Sequence, residues 1–270
     1  MDIGLTERVV LVTGAAGGIG HEVVRAFRRE GARVIVHFHT NGDRAQTLAG
    51  EPGPAAVALG ADLTQEADVQ RLFSESEAAL GPVEILVANA GRWPPHDTPV
   101  SQMSLAQWND TLASNLTSVF LCVREFFRGI GHHRLTDPAA VLVGSTAGIF
   151  GEAGHADYAA AKAGLTYGLA RSLKNELCRL APRGRVNVVC PGWTFTPMTR
   201  RFADDSERVR RVLQTIPLRK VGRPHDVAMA ILYLASSQLS GHLTGQVLTV
   251  AGGMEGRVLY QADEIDPTQA

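Results

Sequence analysis

Val9-Val10-Leu11-Val12-Thr13-Gly14-Ala15-Ala16-Gly17-Gly18-Ile19-Gly20 is the stretch that decides the fold. Its first four residues are apolar and mostly β-branched, the composition of a short strand covered on both faces. The glycines then force a turn, and a helical pattern runs over residues 21–30. Gly14 permits the tight turn, Gly18 lets backbone approach a pyrophosphate, and Gly20 allows helix to pack close on strand. A helix opening through Gly17, Gly18 and Ile19 offers unpaired N–H groups and a favourable dipole to phosphates. A plain turn has the same composition. The strand before and the helix after it make this one a dinucleotide cradle.

The same alternation continues outward. Residues 34–38, 56–59, 85–88, 141–143, 186–189 and 247–250 are further near-continuous apolar runs and read as strands. Helical patterns over 66–80, 105–128, 156–180 and 226–235 lie between them. Strand and helix in alternation predict an α/β fold, a Rossmann-type doubly wound parallel sheet of seven strands with helices on both faces. No linker or internal repeat divides residues 1–270, which read as a single dinucleotide-binding domain. Two segments escape the pattern. Residues 92–104 hold three prolines and a tryptophan, and residues 193–220 carry Trp193, Phe195, Met198 and Phe202. Both begin at carboxyl ends of strands, where open α/β sheets bind ligands, so they are the expected substrate loop and substrate lid.

Composition narrows the class. With 45% hydrophobic residues, a net charge of −1 and a pI near 6.8, the chain has a large core and no basic footprint for nucleic acid. The cluster Arg200, Arg201, Arg208, Arg210 and Arg211 is a local exception, either a solvated helix face or a contact for an anionic substrate or cofactor tail. No run approaches the roughly 18–20 apolar residues of a membrane span, and the N-terminus lacks the pattern of a signal peptide. Cys122, Cys178 and Cys190 are scattered, without metal-ligand spacing, and read as small core residues of a reducing compartment. A cytoplasmic protein without metal, membrane or nucleic-acid partner is expected.

Tyr158 and Lys162 stand four residues apart, a spacing that shares one helix face. An ammonium about 4–6 Å from a phenol is worth roughly 3–4 kcal/mol at an effective dielectric near 20, or about two to three pKa units. Lys162 is therefore expected to lower the Tyr158 pKa into a range useful for moving a proton to or from a carbonyl oxygen. Ser145, just after a strand, is placed to hydrogen-bond the same oxygen. Ala159-Ala160-Ala161 clears bulk where a flat ring and a ribose must approach. Either side chain alone is more often structural, and Ser145 alone fits a turn. Together with the glycine cradle they point to an oxidoreductase acting on a small carbonyl or alcohol.

The spacing G-x-x-x-G-x-G at 14–20, Asn89-Ala90-Gly91 after strand four, Ser145, Tyr158-x-x-x-Lys162 and Pro191-Gly192 resemble the short-chain dehydrogenase/reductase family. The similarity is to its compact branch, which includes 3-oxoacyl carrier-protein reductases, and it covers the chain from about residue 6 to 254. It implies NAD(P)-dependent hydride transfer between nicotinamide and a ketone or secondary alcohol, with Ser145, Tyr158, Lys162 and Asn115 as the catalytic group. Lys162 would also bind the nicotinamide ribose. Asn115 would interrupt its helix and hold a water linking Lys162 to solvent. Asp62, followed by Leu63, would meet the adenine amino group; capping of the next helix is the other reading of Asp62. Asn89, Ala90 and Gly91 would floor the cofactor, and Pro191, Gly192 and Thr194 would flank the nicotinamide. A homotetramer is implied as well, with residues 105–128 and 156–180 as plausible interfaces.

The sequence also departs from the family. Ala88 replaces the first asparagine of the usual Asn-Asn-Ala-Gly, and Ala251 stands where an aspartate is usual. At the end of strand two, His37-Phe38-His39-Thr40-Asn41 has no carboxylate to select NAD, and no arginine stands at Gly17 or His39. A protonated His39 with Thr40 and Asn41 would hold a 2′-phosphate, and no carboxylate repels it, so NADP is favoured over NAD. Among enzymes, the reading is a carbonyl reductase of 3-oxoacyl type, against an NAD-dependent alcohol, sugar or steroid dehydrogenase. Enoyl reductases are set aside, because in the resemblance they separate tyrosine and lysine by more than one turn. A non-catalytic nucleotide-sensing module is the rival of another class; such proteins commonly lose the tyrosine or lysine, and both are present.

Overall fold

A computed structural model describes residues 2–197, 199, 205–261 and 264, apart from the side chain of Arg208. Seven strands, β1 (Val9–Val12), β2 (Arg33–Phe38), β3 (Ala56–Gly60), β4 (Ile85–Ala88), β5 (Ala139–Val143), β6 (Arg185–Pro191) and β7 (Val247–Val250), form one sheet in the order β3-β2-β1-β4-β5-β6-β7. Every pairing is parallel, and Val12 lies opposite both Val36 of β2 and Val87 of β4. The strand order reverses at β1, so a crevice opens between the carboxyl ends of β1 and β4, where such sheets bind dinucleotides.

Alternation along each strand builds two cores. Val10, Val12, Val34, Val36 and Val87 face one side and pack with Val23, Val24 and Phe27 of α1 (Gly18–Arg29). Val227 and Ile231 of α10 (Pro224–Ala235) complete that layer. Leu11, Ile35, Leu86 and Leu142 face the other side, against Val69 and Leu72 of α3 (Glu66–Leu80) and Val123 and Phe126 of α5 (Ser118–His133). Each fully buried Val, Leu, Ile or Phe contributes about 1.5–3 kcal/mol. The edge strand β7 is less covered, and Leu248 is 37% exposed.

The two long predicted helices are each interrupted. Residues 105–128 divide into α4 (Leu105–Leu112), a π-helical turn over Ala113–Thr117, and α5. The Asn115 side-chain amide donates to the Thr111 carbonyl at 3.0 Å, taking an acceptor that an α-helix reserves for a backbone N–H. Residues 156–180 divide into α7 (Ala156–Ala163), a second π turn over Gly164–Leu169, and α8 (Ala170–Leu180). Gly164 and Gly168 lower helix propensity there. Three short helices went unpredicted, α2 (Gly42–Ala49), α6 (Ala147–Phe150) and α11 (Ser237–Ser240), while α9 (Ser206–Leu213) is the helix that one reading of the arginine cluster called for. None is long enough to display an apolar stripe; α2 buries only Ala45 and Leu48. Cys122 and Cys190 are buried as expected, but Cys178 is exposed, because it lies on the outer face of α8. Among the described residues no helix is long and apolar enough to cross a membrane.

Candidate active site

A cleft of about 680 Å³ runs across the carboxyl ends of the strands, from His39 past the glycine turn to Tyr158 and Lys162. It is lined at one end by Phe38, His39, Thr40, Asn41, Asp62 and Leu63, and in the middle by Gly14, Gly17, Gly18, Ile19 and Gly20. At the other end stand Asn89, Ala90, Gly91, Tyr158, Lys162, Pro191, Gly192 and Thr194. All the residues expected to contact a cofactor thus face one cavity.

The turn that opens this cleft is fixed on three sides. Gly14 has φ +63°, the left-handed conformation that favours glycine. Its N–H donates to Nδ1 of His37 at 3.0 Å, and Nε2 of His37 lies 3.1 Å from the Ala61 carbonyl. His37 is therefore a buried clamp between β1, β2 and β3, a neutral imidazole with its proton on Nε2; burial lowers its pKa to about 4. Asn89 fixes the third side, its amide donating to Thr13 O at 2.9 Å and Gly14 O at 3.2 Å. A Cβ on Gly20 would lie 2.4 Å from Gly14 O, so only glycine lets α1 start this close to the turn. The α1 N-terminus has no side-chain cap, which leaves first-turn N–H groups for an anion.

At the β2–β3 end of the cleft, Asp62 accepts from the Thr64 N–H at 3.0 Å and its hydroxyl at 2.7 Å, and these bonds lower its pKa. It makes a turn, while Gln65 is the N-cap of α3, so the capping alternative does not hold. Arg44, in the first turn of α2, lines the cleft beside His39, Thr40 and Asn41. It is exposed and makes no hydrogen bond or ion pair among the described residues. Sequence reasoning passed over this cation because residues 42–49 were assigned no element.

At the catalytic end, α7 carries Tyr158 and Lys162 on one face, with Lys162 Nζ 5.8 Å from the Tyr158 ring centroid. Lys162 is buried and donates to the Val143 carbonyl at 2.8 Å. Ser145 stands beside the Tyr158 side chain, and its hydroxyl oxygen accepts the Ala147 N–H at 3.1 Å. The expected lowering of the tyrosine pKa is not found. Desolvation pushes the half-buried Tyr158 up to about 12, against a smaller opposing effect of Ser145. Burial also lowers Lys162 to about 8. Neither shift carries a contribution from the other member of the pair; the ammonium is turned to the Val143 carbonyl of β5.

Asn115 is fully buried, and clips the strand-four loop with a two-way bond to Arg92: its Oδ1 accepts the Arg92 N–H at 3.0 Å and its Nδ2 donates to Arg92 O at 2.9 Å. A Cβ on Gly91 would lie 2.7 Å from Asn115 Oδ1 and 3.3 Å from Lys162 Nζ. Loop, π turn and lysine therefore meet at one glycine. Asp157 was not anticipated. Its buried carboxylate accepts from Thr111 at 2.8 Å, Gln107 at 3.2 Å and the Tyr158 N–H at 2.8 Å, tying α4 to the start of α7.

Both variable segments reach the cleft. Arg92 and Trp93 line it from the 92–104 loop, and Trp93 stacks on buried His155 at 4.4 Å. From the second segment, Trp193, Thr194, Thr196, Pro197 and Thr199 line it; a Cβ on Gly18 would lie 2.8 Å from Thr196. Met198, Arg200, Arg201, Phe202 and the Arg208 side chain lie outside the described residues. Of the remaining arginines in the cluster, Arg211 donates to Leu259 O at 3.2 Å and so fastens the C-terminal segment to α9. Ala251 packs on Gly192, whose Cβ would stand 2.7 Å from that of Ala251.

A dinucleotide fits this cleft: uncapped N–H groups sit at its centre, a free cation and a carboxylate at one end, and an acid/base group at the other. The whole arrangement agrees with the comparisons to known proteins. A family profile described as Enoyl-(Acyl carrier protein) reductase matches residues 14–255. The 3-oxoacyl-[acyl-carrier-protein] reductase FabG of Escherichia coli (strain K12) is 36% identical over 248 residues, 92% of this chain and 97% of that protein. The chain belongs to the short-chain dehydrogenase/reductase family. Nodulation protein G of Rhizobium sp. (strain N33) is likewise 36% identical, over 93% of this chain and 98% of that protein. Among solved structures, a dehydrogenase/reductase from Sinorhizobium meliloti 1021 superposes with a TM-score of 0.84 at 31% identity, covering 93% of this chain and 96% of that one. This short-chain dehydrogenase/reductase is thus an NAD(P)-dependent oxidoreductase of the FabG type acting on carbonyl or alcohol substrates. Its curated relatives include 3-oxoacyl reductases, although the matching profile carries an enoyl-reductase description.

Proposed function

We propose that the protein is an NADPH-preferring ketone reductase, with Tyr158 as proton donor. The observation that carries this reading is the Tyr158 phenol, beside Ser145 and on one helix face with Lys162, at the end of the cleft opposite Arg44. A protonated phenol at this position donates to the alkoxide that hydride addition develops, and the same group accepts the proton in the reverse direction. Bound nicotinamide supplies the hydride. Ser145 orients the carbonyl oxygen, Lys162 sets the charge behind Tyr158 and binds the ribose, and Asn115 holds the Arg92 loop and a water serving Lys162.

The 2′-phosphate is assigned to His39, Thr40 and Asn41, reinforced by Arg44. The absence of a carboxylate at the end of β2 supports the same choice, since an acid there would repel the phosphate. Asp62, Leu63, Asn89, Ala90, Gly91, Pro191, Gly192 and Thr194 complete the cofactor contacts, with NAD the weaker ligand. The substrate reading is a 3-oxoacyl-type carbonyl compound admitted between residues 92–104 and 193–220. We place the enzyme in the cytoplasm as a homotetramer. Exposed Phe120 of α5 and Tyr167 of the second π turn, each under an arginine at 5.6 Å, provide apolar surface for the contact.

Titration with NADPH and NADH, followed by nicotinamide fluorescence, tests the reading. Much tighter NADPH binding is expected. Preference for NADH would overturn the phosphate assignment, and binding of neither would restore the non-catalytic rival.

A further inference from the structure

Arg257 lies two residues beyond the end of the family match at 255, on the segment that follows β7. It nevertheless lines the active-site cleft, along with Tyr158, Trp193 and Met254. Its Nε donates to the Gly151 carbonyl at 2.8 Å, and Nη2 stands 3.8 Å from Glu152 Oε2. Gly151 and Glu152 belong to the loop that leads from α6 into the helix of Tyr158. The first contact is a hydrogen bond that aims the guanidinium; the second is longer than a hydrogen bond. The terminal N–H groups therefore have a nearby charge but no close acceptor among the described residues, and the side chain is 29% exposed.

The carbonyl chemistry has no use for this cation. Tyr158 and Ser145 serve the reacting oxygen, Lys162 supplies the positive charge behind them, and the cofactor phosphates belong at the glycine turn and beyond it toward His39 and Arg44. Arg257 also borders a second groove, under α9, which Arg210 and Arg219 line with Glu255 as the one carboxylate among the described residues. The substrate end of the cleft thus opens onto a margin with an excess of arginine. Arg211 holds the segment in place through Val258 and Leu259. The charge of Arg257 reaches Tyr158, as does the opposing charge of Glu152.

We propose that the substrate is a ketone bearing a carboxylate or phosphate oxyanion, and that Arg257 is the specificity residue that binds this group while Tyr158 protonates the carbonyl. The proposal rests on the ketone-reductase reading. Guanidinium offers a planar pair of donors that matches an oxyanion at normal hydrogen-bond distance, closer than Glu152 now stands. Glu152 then repels the incoming anion, while the Gly151 hydrogen bond keeps Arg257 oriented. The two residues consequently have opposite effects on the same selectivity.

The experiment compares matched ketones by NADPH oxidation: a 3-oxocarboxylate against its ethyl ester, and dihydroxyacetone phosphate against dihydroxyacetone. The readout is the ratio of kcat/KM for the charged over the neutral partner. At least about a tenfold preference for the anion is expected in one pair, which also tells carboxylate from phosphate. Arg257→Gln should bring that ratio close to unity, chiefly through KM, and Glu152→Gln should raise it. A wild-type ratio at or below unity in both pairs, with the neutral ketones reduced, overturns the inference and leaves the reductase reading standing. A preference that survives Arg257→Gln overturns the assignment to Arg257. Failure to oxidise NADPH with any of the four overturns the reductase reading and this inference with it.

Discussion

Nδ1 of His37 accepts the Gly14 N–H at 3.0 Å, so the side chain near the end of β2 sets the conformation of the turn that begins the cofactor cleft. This bond exists only while His37 is neutral, and burial keeps it so, with a pKa lowered from 6.5 to about 4. Between those values the unfolded chain binds a proton that the folded chain does not. Stability is therefore fully present above pH 6.5 and is lost as pH falls toward 4, by about 3 kcal/mol from this group. Denaturant unfolding of wild type and His37→Gln at several pH values is the check. The variant should be less stable at pH 7 and show a flatter decline through the acid window; an unchanged slope would assign the decline to other groups.

Lys162 is lowered to about 8 by burial, so its ammonium is lost in the free enzyme as pH rises through that value. Reductive kcat/KM should be flat below the break and fall above it. Lys162→Arg keeps the charge at high pH and should move the break upward, while lowering the plateau because the longer fork does not fit under Gly91. A profile that ignores this substitution would dissociate the break from Lys162.

Gly91→Ala places a methyl against Asn115 Oδ1 and Lys162 Nζ. The expected cost is about 1–3 kcal/mol in stability, with a loss of turnover larger than the loss of cofactor affinity. Thermal unfolding and steady-state kinetics on one preparation separate the two effects.

Arg44→Ala should weaken NADPH binding by about tenfold and leave NADH nearly unchanged, since a single charge-assisted contact to phosphate is removed. Equal losses for the two cofactors would indicate a contact to something other than the 2′-phosphate.

Much of this was legible in the sequence because it depends on local pattern. The strands announced themselves through apolar runs, and the order Gly14, Asn89, Tyr158 and Lys162 brought residues to one cleft because a doubly wound sheet gathers its carboxyl ends. What depends on distance through space was not legible. The clamp of His37 requires β1, β2 and β3 to lie side by side, and Asp157 meets Thr111 only after α4 packs on α7. Arg44 was hidden in a helix too short to show a stripe. The Tyr158 pKa was misjudged because spacing gives proximity to Lys162 but not the desolvation that raises it.

The central claim is that Tyr158 delivers the proton, and Tyr158→Phe tests it most directly because the change removes one oxygen and preserves the ring. NADPH-dependent reduction of a ketone that the wild type turns over should fall by about 10²–10⁴-fold in the variant, with NADPH affinity retained by fluorescence titration. Turnover within a few-fold of wild type would contradict the account.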